Sequence, residues 1–122
     1  MGNSIVAEKS FKFAIRIVNL HKYFCEEKRE FTLSKQLIRS GTSIGANIRE
    51  ALHAQGKRDF LYKINIALKE ANETAYWIEL LHATGYIDNK QKESLFADND
   101  EIIRLLVATV KTTKTNLDKT QK

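Results

Sequence analysis

The sequence predicts an all-α protein, an antiparallel up-down-up-down four-helix bundle, formed by one domain over residues 1–122. Three observations predict this fold. Apolar residues recur every three or four positions along four long segments, which is the period of an amphipathic helix. The chain has no proline, and Gly56 and Gly85 fall where helical patterns stop. The connections are short, which makes consecutive helices antiparallel neighbours.

The predicted helices cover residues 5–27, 33–55, 59–84 and 88–117, and a polar tail at 118–122 is expected to fray. Thr32 is the expected N-cap of the second helix. Asp88, with Gln91 three residues on, resembles a capping box at the start of the fourth. Gly41 and Gly45 lie inside the second helix, where each costs about 1 kcal/mol relative to alanine. The simplest compensation is the close approach of another helix.

The first helix carries two apolar stripes. One contains Phe11, Ala14, Ile15, Val18 and Cys25, and the other contains Phe13, Ile17, Leu20 and Phe24. Together they cover well over half of the circumference, whereas a surface helix needs an apolar stripe of only about 100°. We therefore expect this helix to be buried on two sides, in a homo-oligomer. The residues predicted at the oligomer interface are Phe13, Ile17, Leu20, Phe24, Ile66 and Trp77.

The composition excludes several classes of protein. No apolar run approaches the roughly 20 residues of a membrane span, and the N-terminus lacks the pattern of a signal peptide. Cys25 is the single cysteine, so an internal disulfide is impossible and a reducing cytoplasm is the expected location. Because Cys25 continues an apolar stripe, we interpret it as a buried structural cysteine.

The sharpest catalytic pattern is the Glu-x-x-His spacing of di-iron bundles, which occurs at Glu50–His53 and at Glu79–His82. The two pairs are offset by about fifteen residues, or ~22 Å along the bundle. Ligands of one metal pair must lie within a few ångströms, so we predict no metal, no cofactor and no catalytic residue. A further polar set is Ser43, Asn47 and Glu70, predicted to meet between the second and third helices. It is either a ligand pocket or, as we favour, a hydrogen-bonded network that sets the register.

The net charge of +5 leaves nucleic acid, anionic lipid or an acidic protein as possible partners. Antiparallel topology gathers cations at the end that holds the N-terminus and the Gly56 turn, with Lys9, Lys12 and Arg16 expected beside Lys111 and Lys114. Such an array can neutralise phosphates without reading sequence, or it can be a solvated basic face. No aromatic platform is expected beside it. The candidate nucleic-acid-binding residues are Lys9, Lys12, Arg16, Arg49, Lys57, Arg58, Lys111 and Lys114.

Two blocks of sequence carry a family resemblance. Residues 34–51 read SKQLIRSGTSIGANIREA, and residues 59–60 and 66–77 form the second block. They resemble the signature of the four-helix-bundle proteins encoded in 23S rRNA intervening sequences, also called the S23 ribosomal protein family. The resemblance implies an antiparallel bundle that assembles as a ring-like homopentamer, and it brings no catalytic residues. It also implies a distant likeness to the accessory proteins of diversity-generating retroelements, which bind nucleic acid and a reverse transcriptase.

Two functional hypotheses follow. The first is a non-enzymatic, cytoplasmic homo-oligomer that binds nucleic acid, with RNA favoured, through its basic end. The alternative is a protein-interaction scaffold or an accessory subunit, for example for a reverse transcriptase or other polymerase, without direct nucleic-acid binding. Neither hypothesis involves a membrane.

Overall fold

The computed structural model describes the backbone of residues 2–121 and the side chains of residues 5–119. Within this range the chain forms four α-helices, and the predicted all-α bundle is confirmed. Each helix packs on the next one along the chain, and α4 closes the bundle on α1 in the least extensive contact. The bounds of the helices are α1 Gly2–Tyr23, α2 Thr32–Leu52, α3 Lys57–Ala83 and α4 Asn89–Gln121.

A π-helical turn over Phe24–Lys28 extends α1, and Arg29, with φ of 55°, ends it. The next residue, Glu30, caps α2. Its carboxylate accepts the N–H groups of Thr32 at 3.0 Å and Ser34 at 2.8 Å. The prediction that Thr32 is the N-cap is therefore wrong: Thr32 is the first helical residue. A carboxylate satisfies the free N–H groups of a first turn and also opposes the positive end of the helix dipole.

The α3–α4 turn follows the sequence signals more closely. Gly85 has φ of +84°, the left-handed conformation that favours glycine at the end of a helix. The predicted capping box is confirmed, because Asp88 N–H bonds Gln91 Oε1 at 2.9 Å and Gln91 N–H bonds Asp88 Oδ1 at 2.8 Å. The helix α4 then continues to Gln121, four residues past its predicted end.

The two glycines inside α2 mark where α1 approaches. A Cβ atom on Gly41 would lie 3.0 Å from both Cγ1 and Cγ2 of Ile17. A Cβ atom on Gly45 would lie 3.3 Å from Ser10 Oγ and 3.5 Å from its carbonyl oxygen. The expectation of a close helix approach is confirmed, and the approaching helix is α1.

The core draws side chains from all four helices and corrects the predicted oligomer interface. Phe13, Ile17 and Phe24 are 1%, 0% and 0% exposed, so they lie inside the bundle and cannot face another subunit. Fully burying each such side chain stabilises the fold by about 1.5–3 kcal/mol. The other three predicted interface residues are half-buried, namely Leu20, Ile66 and Trp77. Of these, Leu20 and Trp77 pack against this core.

The other apolar stripe of α1 remains on the surface. Phe11 is 53% exposed and Ile15 is 46% exposed. Which of the two stripes enters the core depends on the rotation of α1 against α2 and α4, and the width of the apolar arc does not determine that rotation. No helix in the described range is long and apolar enough to cross a membrane.

Candidate nucleic-acid interface

Two of the predicted cations on α1 face carboxylates on α4. Lys9 Nζ lies 2.6 Å from Glu101 Oε1, and Arg16 Nη1 lies 2.6 Å from Asp98 Oδ2. The hydrogen bond from Lys9 to Glu101, and then the charge of that carboxylate, raise the pKa of Lys9 above its ordinary value. Lys12 pairs within its own helix with Glu8, at 3.1 Å.

This register contradicts the expected array of five cations. Because Lys9 lies opposite Glu101, Lys111 is ten residues further along α4, or about 15 Å away. The predicted juxtaposition of Lys9, Lys12 and Arg16 with Lys111 and Lys114 is wrong. The topology correctly indicates which helices are neighbours, but it does not give the axial shift between them.

Arg49, another predicted site residue, serves a packing role. Its guanidinium carbon lies 5.5 Å from the centroid of the Phe11 ring, within range of a cation–π contact. This contact joins the outer sides of α1 and α2, in the last turn of α2.

Four predicted cations lie at the same end of the bundle, where α3 begins and α4 nears its end. Asn99 Nδ2 donates to Ala71 O at 2.9 Å and so sets the α3–α4 register. Counting fourteen residues outward from each partner places Lys57 level with Thr113. All four cations are exposed, and among the described side chains none has a carboxylate oxygen within 4.0 Å. We call Lys57, Arg58, Lys111 and Lys114 the basic cluster.

An aromatic side chain lies beside the basic cluster, contrary to the sequence-based expectation. Tyr62 is 63% exposed, and it follows Arg58 by four residues, on the same side of α3. Lys63 Nζ lies 6.0 Å from the Tyr62 ring centroid. The spacing of Arg58 and Tyr62 is visible in the sequence, but only the burial pattern shows that this side of α3 faces outward.

A groove of about 660 Å³ separates the outer sides of α1 and α2. Its walls are apolar or small, with Phe11 and Ala14 on α1 and Gly45 and Ala46 on α2. Its rim includes Lys63, whose ammonium lies 2.9 Å from Glu50 and whose pKa is raised by that hydrogen bond and charge. We call this feature the α1–α2 groove.

The predicted polar network does not form. Ser43 Oγ donates to Arg39 O at 2.6 Å, and Asn47 Nδ2 donates to Ser43 O at 2.8 Å, so both bonds stay within α2. The buried polar contact between α2 and α3 is instead Thr74 Oγ1 to Ser40 Oγ, at 2.9 Å.

Glu70 is half-buried between these helices. Burial, and next the nearby Glu73 carboxylate, raise the pKa of its carboxyl group, while Lys69 and Arg39 act in the opposite direction. Its polar head therefore lacks a strong ionic partner among the described side chains.

The two Glu-x-x-His pairs lie far apart, as their offset predicts. Glu50 sits opposite Lys63 on α3, and Glu79 lies sixteen residues further along that helix, or ~24 Å away. His82 Nε2 lies 2.5 Å from Asn89 Oδ1. Among residues 5–119, no three His, Cys, Asp or Glu side chains are grouped to hold a metal ion.

Cys25 differs from its predicted environment. It lies in the π-helical turn and is half-buried, with Sγ 3.6 Å from His21 Nε2. His21 Nδ1 in turn lies 3.1 Å from Ser34 Oγ, on α2. The side chain is therefore not in the core, because its stripe is the one that α1 leaves on the surface.

These features define an antiparallel four-helix bundle with glycines at the α1–α2 crossing and a cationic cluster at one end. A family model described as "23S rRNA-intervening sequence protein" matches residues 2–108, and the chain belongs to that family. The resemblance carried by residues 34–51 and 66–77 is thereby confirmed.

A solved structure agrees with this assignment. It is that of a protein of unknown function from the S23 ribosomal protein family of Bacteroides thetaiotaomicron, and it is 57% identical in sequence, with a TM-score of 0.90. The match covers 91% of this chain and 99% of that one. No curated protein matches the chain.

Proposed function

We propose that this chain is a non-enzymatic, homo-oligomeric bundle protein whose basic cluster binds the phosphate backbone of nucleic acid, RNA in particular. The observation that carries the proposal is the difference between two sets of cations. Lys9, Lys12 and Arg16 are paired with carboxylates, whereas the basic cluster is exposed and has none within 4.0 Å among the described side chains. Lysines and arginines that neutralise phosphates release condensed counterions, and this drives binding that does not depend on sequence.

The test is fluorescence anisotropy of a short labelled RNA, measured over a series of salt concentrations. We expect Lys57→Glu and Lys114→Glu each to weaken binding. Each should also reduce the magnitude of the slope of log affinity against log salt by about 0.7–0.9, which corresponds to the loss of one phosphate contact. Lys12→Glu should have a smaller effect, because Lys12 is already paired with Glu8.

Lys90→Glu is the matched control, because Lys90 is exposed on the first turn of α4, at the opposite end of the bundle. It changes the net charge by the same amount as the cluster variants. Absence of binding at low salt would refute the proposal. Equal weakening by Lys90→Glu and Lys114→Glu would show that net charge, and not the basic cluster, governs binding.

Self-association is the second part of the proposal, and the α1–α2 groove supports it. Phe11, which lines the groove, is about half exposed beside the small residues Ala14, Gly45 and Ala46. Ile15, four residues further along α1, is also about half exposed. An apolar patch of this kind is typical of a protein–protein contact. The family resemblance implies that the assembly is a five-membered ring. Light scattering that finds a monomer at micromolar concentration would refute the oligomer.

The same groove favours one alternative, a scaffold or accessory subunit that docks another protein. A partner recovered with the chain after nuclease treatment, and lost on Phe11→Asp, would favour the scaffold. The basic cluster would then contribute nothing to partner recovery, and Lys114→Glu would leave it unchanged.

A further inference from the structure

The outward side of α3 carries a regular stripe of polar and aromatic residues. Its members are spaced alternately by four and three, so they lie along one side of the helix. All six are exposed, and none of them is acidic or aliphatic. We call Arg58, Tyr62, Asn65, Lys69, Asn72 and Tyr76 the α3 outer face.

The two tyrosines distinguish this face from an ordinary solvated helix surface. Tyr62 is 63% exposed and Tyr76 is 57% exposed, the highest values among the large hydrophobic side chains described. They lie fourteen residues apart, or about 21 Å along α3. The Trp77 ring meets the Tyr76 ring nearly edge-on, with centroids 5.0 Å apart and an interplanar angle of 76°. Trp77 therefore packs against one side of the Tyr76 ring, while more than half of the Tyr76 side chain stays exposed to solvent.

The charge and hydrogen-bonding groups between the tyrosines suit a nucleic-acid strand. Arg58 belongs both to this face and to the basic cluster, so the two surfaces are continuous. Further along α3, Lys69 is the second cation of the face, and the exposed Glu73 lies one turn from it. The Asn65 and Asn72 amides each offer donors and an acceptor, which fit base edges and the ribose 2′-hydroxyl. Aliphatic groups, which a docked protein helix would need, are missing from these six positions.

We infer that the α3 outer face binds single-stranded RNA, with bases stacked on Tyr62 and Tyr76 and phosphates held by Arg58 and Lys69. Bases of a single strand can be splayed out to stack on aromatic rings, whereas bases in a duplex stay stacked on one another. Because α3 lies diagonally across the bundle from α1, the α3 outer face and the α1–α2 groove are on different sides of the molecule. This inference rests on the proposed function and specifies its ligand.

The experiment compares a short single-stranded RNA, the same sequence as a duplex, and the corresponding single-stranded DNA, by anisotropy at one salt concentration. We expect the single-stranded RNA to bind most tightly. Tyr62→Ser and Tyr76→Ser should each weaken its binding about 5- to 160-fold, the range for one stacked base, and leave duplex binding unchanged. Tyr62→Phe, which keeps the ring, should bind like the parent chain.

Two further measurements test whether the RNA contacts the α3 outer face in particular. Tyr23→Ser is the matched control, because Tyr23 is 42% exposed on α1 and lies outside the α3 outer face. Trp77 is the single tryptophan and touches Tyr76, so its fluorescence should change when single-stranded RNA binds.

The outcomes distinguish this inference from the proposed function. If no nucleic acid binds, the proposed function fails. A second outcome is that all three probes bind equally, that Lys114→Glu weakens the binding of each, and that the tyrosine variants bind like the parent chain. Binding by the basic cluster would then be supported, and base stacking on the α3 outer face would be refuted. Tighter binding of DNA than of RNA would overturn the assignment to RNA.

Discussion

Gly41→Ala tests the close crossing of α1 and α2. The added Cβ atom would meet two Ile17 carbons at 3.0 Å and a third at 3.4 Å, whereas ordinary contacts begin near 3.4 Å. Ile17 is fully buried, and its β-branched side chain is stiff at χ1, so the strain passes to the helix backbones. Overpacking of this kind costs about 1–3 kcal/mol. Alanine recovers about 1 kcal/mol in helix propensity, so we expect a net loss of up to about 2 kcal/mol.

The assay is urea unfolding at fixed protein concentration, because self-association would make the apparent stability concentration-dependent. Gly45→Ala is the matched control. Its nearest contact is looser, at 3.3 Å to Ser10 Oγ, so we expect a change close to zero. In an Ile17→Ala background both 3.0 Å contacts disappear, and Gly41→Ala should there stabilise the chain by up to about 1 kcal/mol. A Gly41→Ala chain as stable as the parent, with no coupling to Ile17, would refute the close crossing.

Two other predictions concern burial. Phe13→Ala should cost about 3–5 kcal/mol because the ring is in the core, whereas Phe11→Ala should cost little and instead lower the mass of the assembly measured by light scattering; equal effects on stability would contradict this assignment of the two stripes. The pKa of Glu70 is raised by burial and by Glu73, so between its ordinary and raised values the folded chain holds a proton that the unfolded chain has lost. The free energy of unfolding should then fall as pH rises through that window. Glu70→Gln should remove the fall and be the more stable chain at neutral pH, and urea titrations showing the same pH dependence for both chains would contradict this.

The elements of the fold were predictable because their signals are local. The capping residues Asp88 and Gln91 and the turn at Gly85 depend on neighbours within a few positions. Where a cap involved a competing group, the prediction failed, since the Glu30 carboxylate reaches the first turn of α2 and Thr32 does not cap it.

The candidate site was only partly predictable for a related reason. The residue types of the basic cluster and the antiparallel order of the helices were readable. Whether a cation is free to bind a phosphate depends on whether a carboxylate faces it across the bundle. An axial shift of two or three turns between neighbouring helices changes which residues face each other. The pairing of Lys9 with Glu101 and of Arg16 with Asp98 thus removes two residues that the sequence alone placed beside Lys111.

The sequence by itself determined the fold class, the number and order of the helices, the position of the close glycine crossing and the family. These properties depend on periodicity, on capping and on the space that a missing Cβ atom leaves. Each of these signals involves residues that are close together in the sequence. The tertiary structure decided the rotation and the axial shift of each helix. The rotation of α1 placed Phe13 inside and Phe11 outside. The rotation of α3 turned Tyr62 outward, on the same side as Arg58. Rotation and shift arise from packing summed over all four helices, so no single segment encodes them.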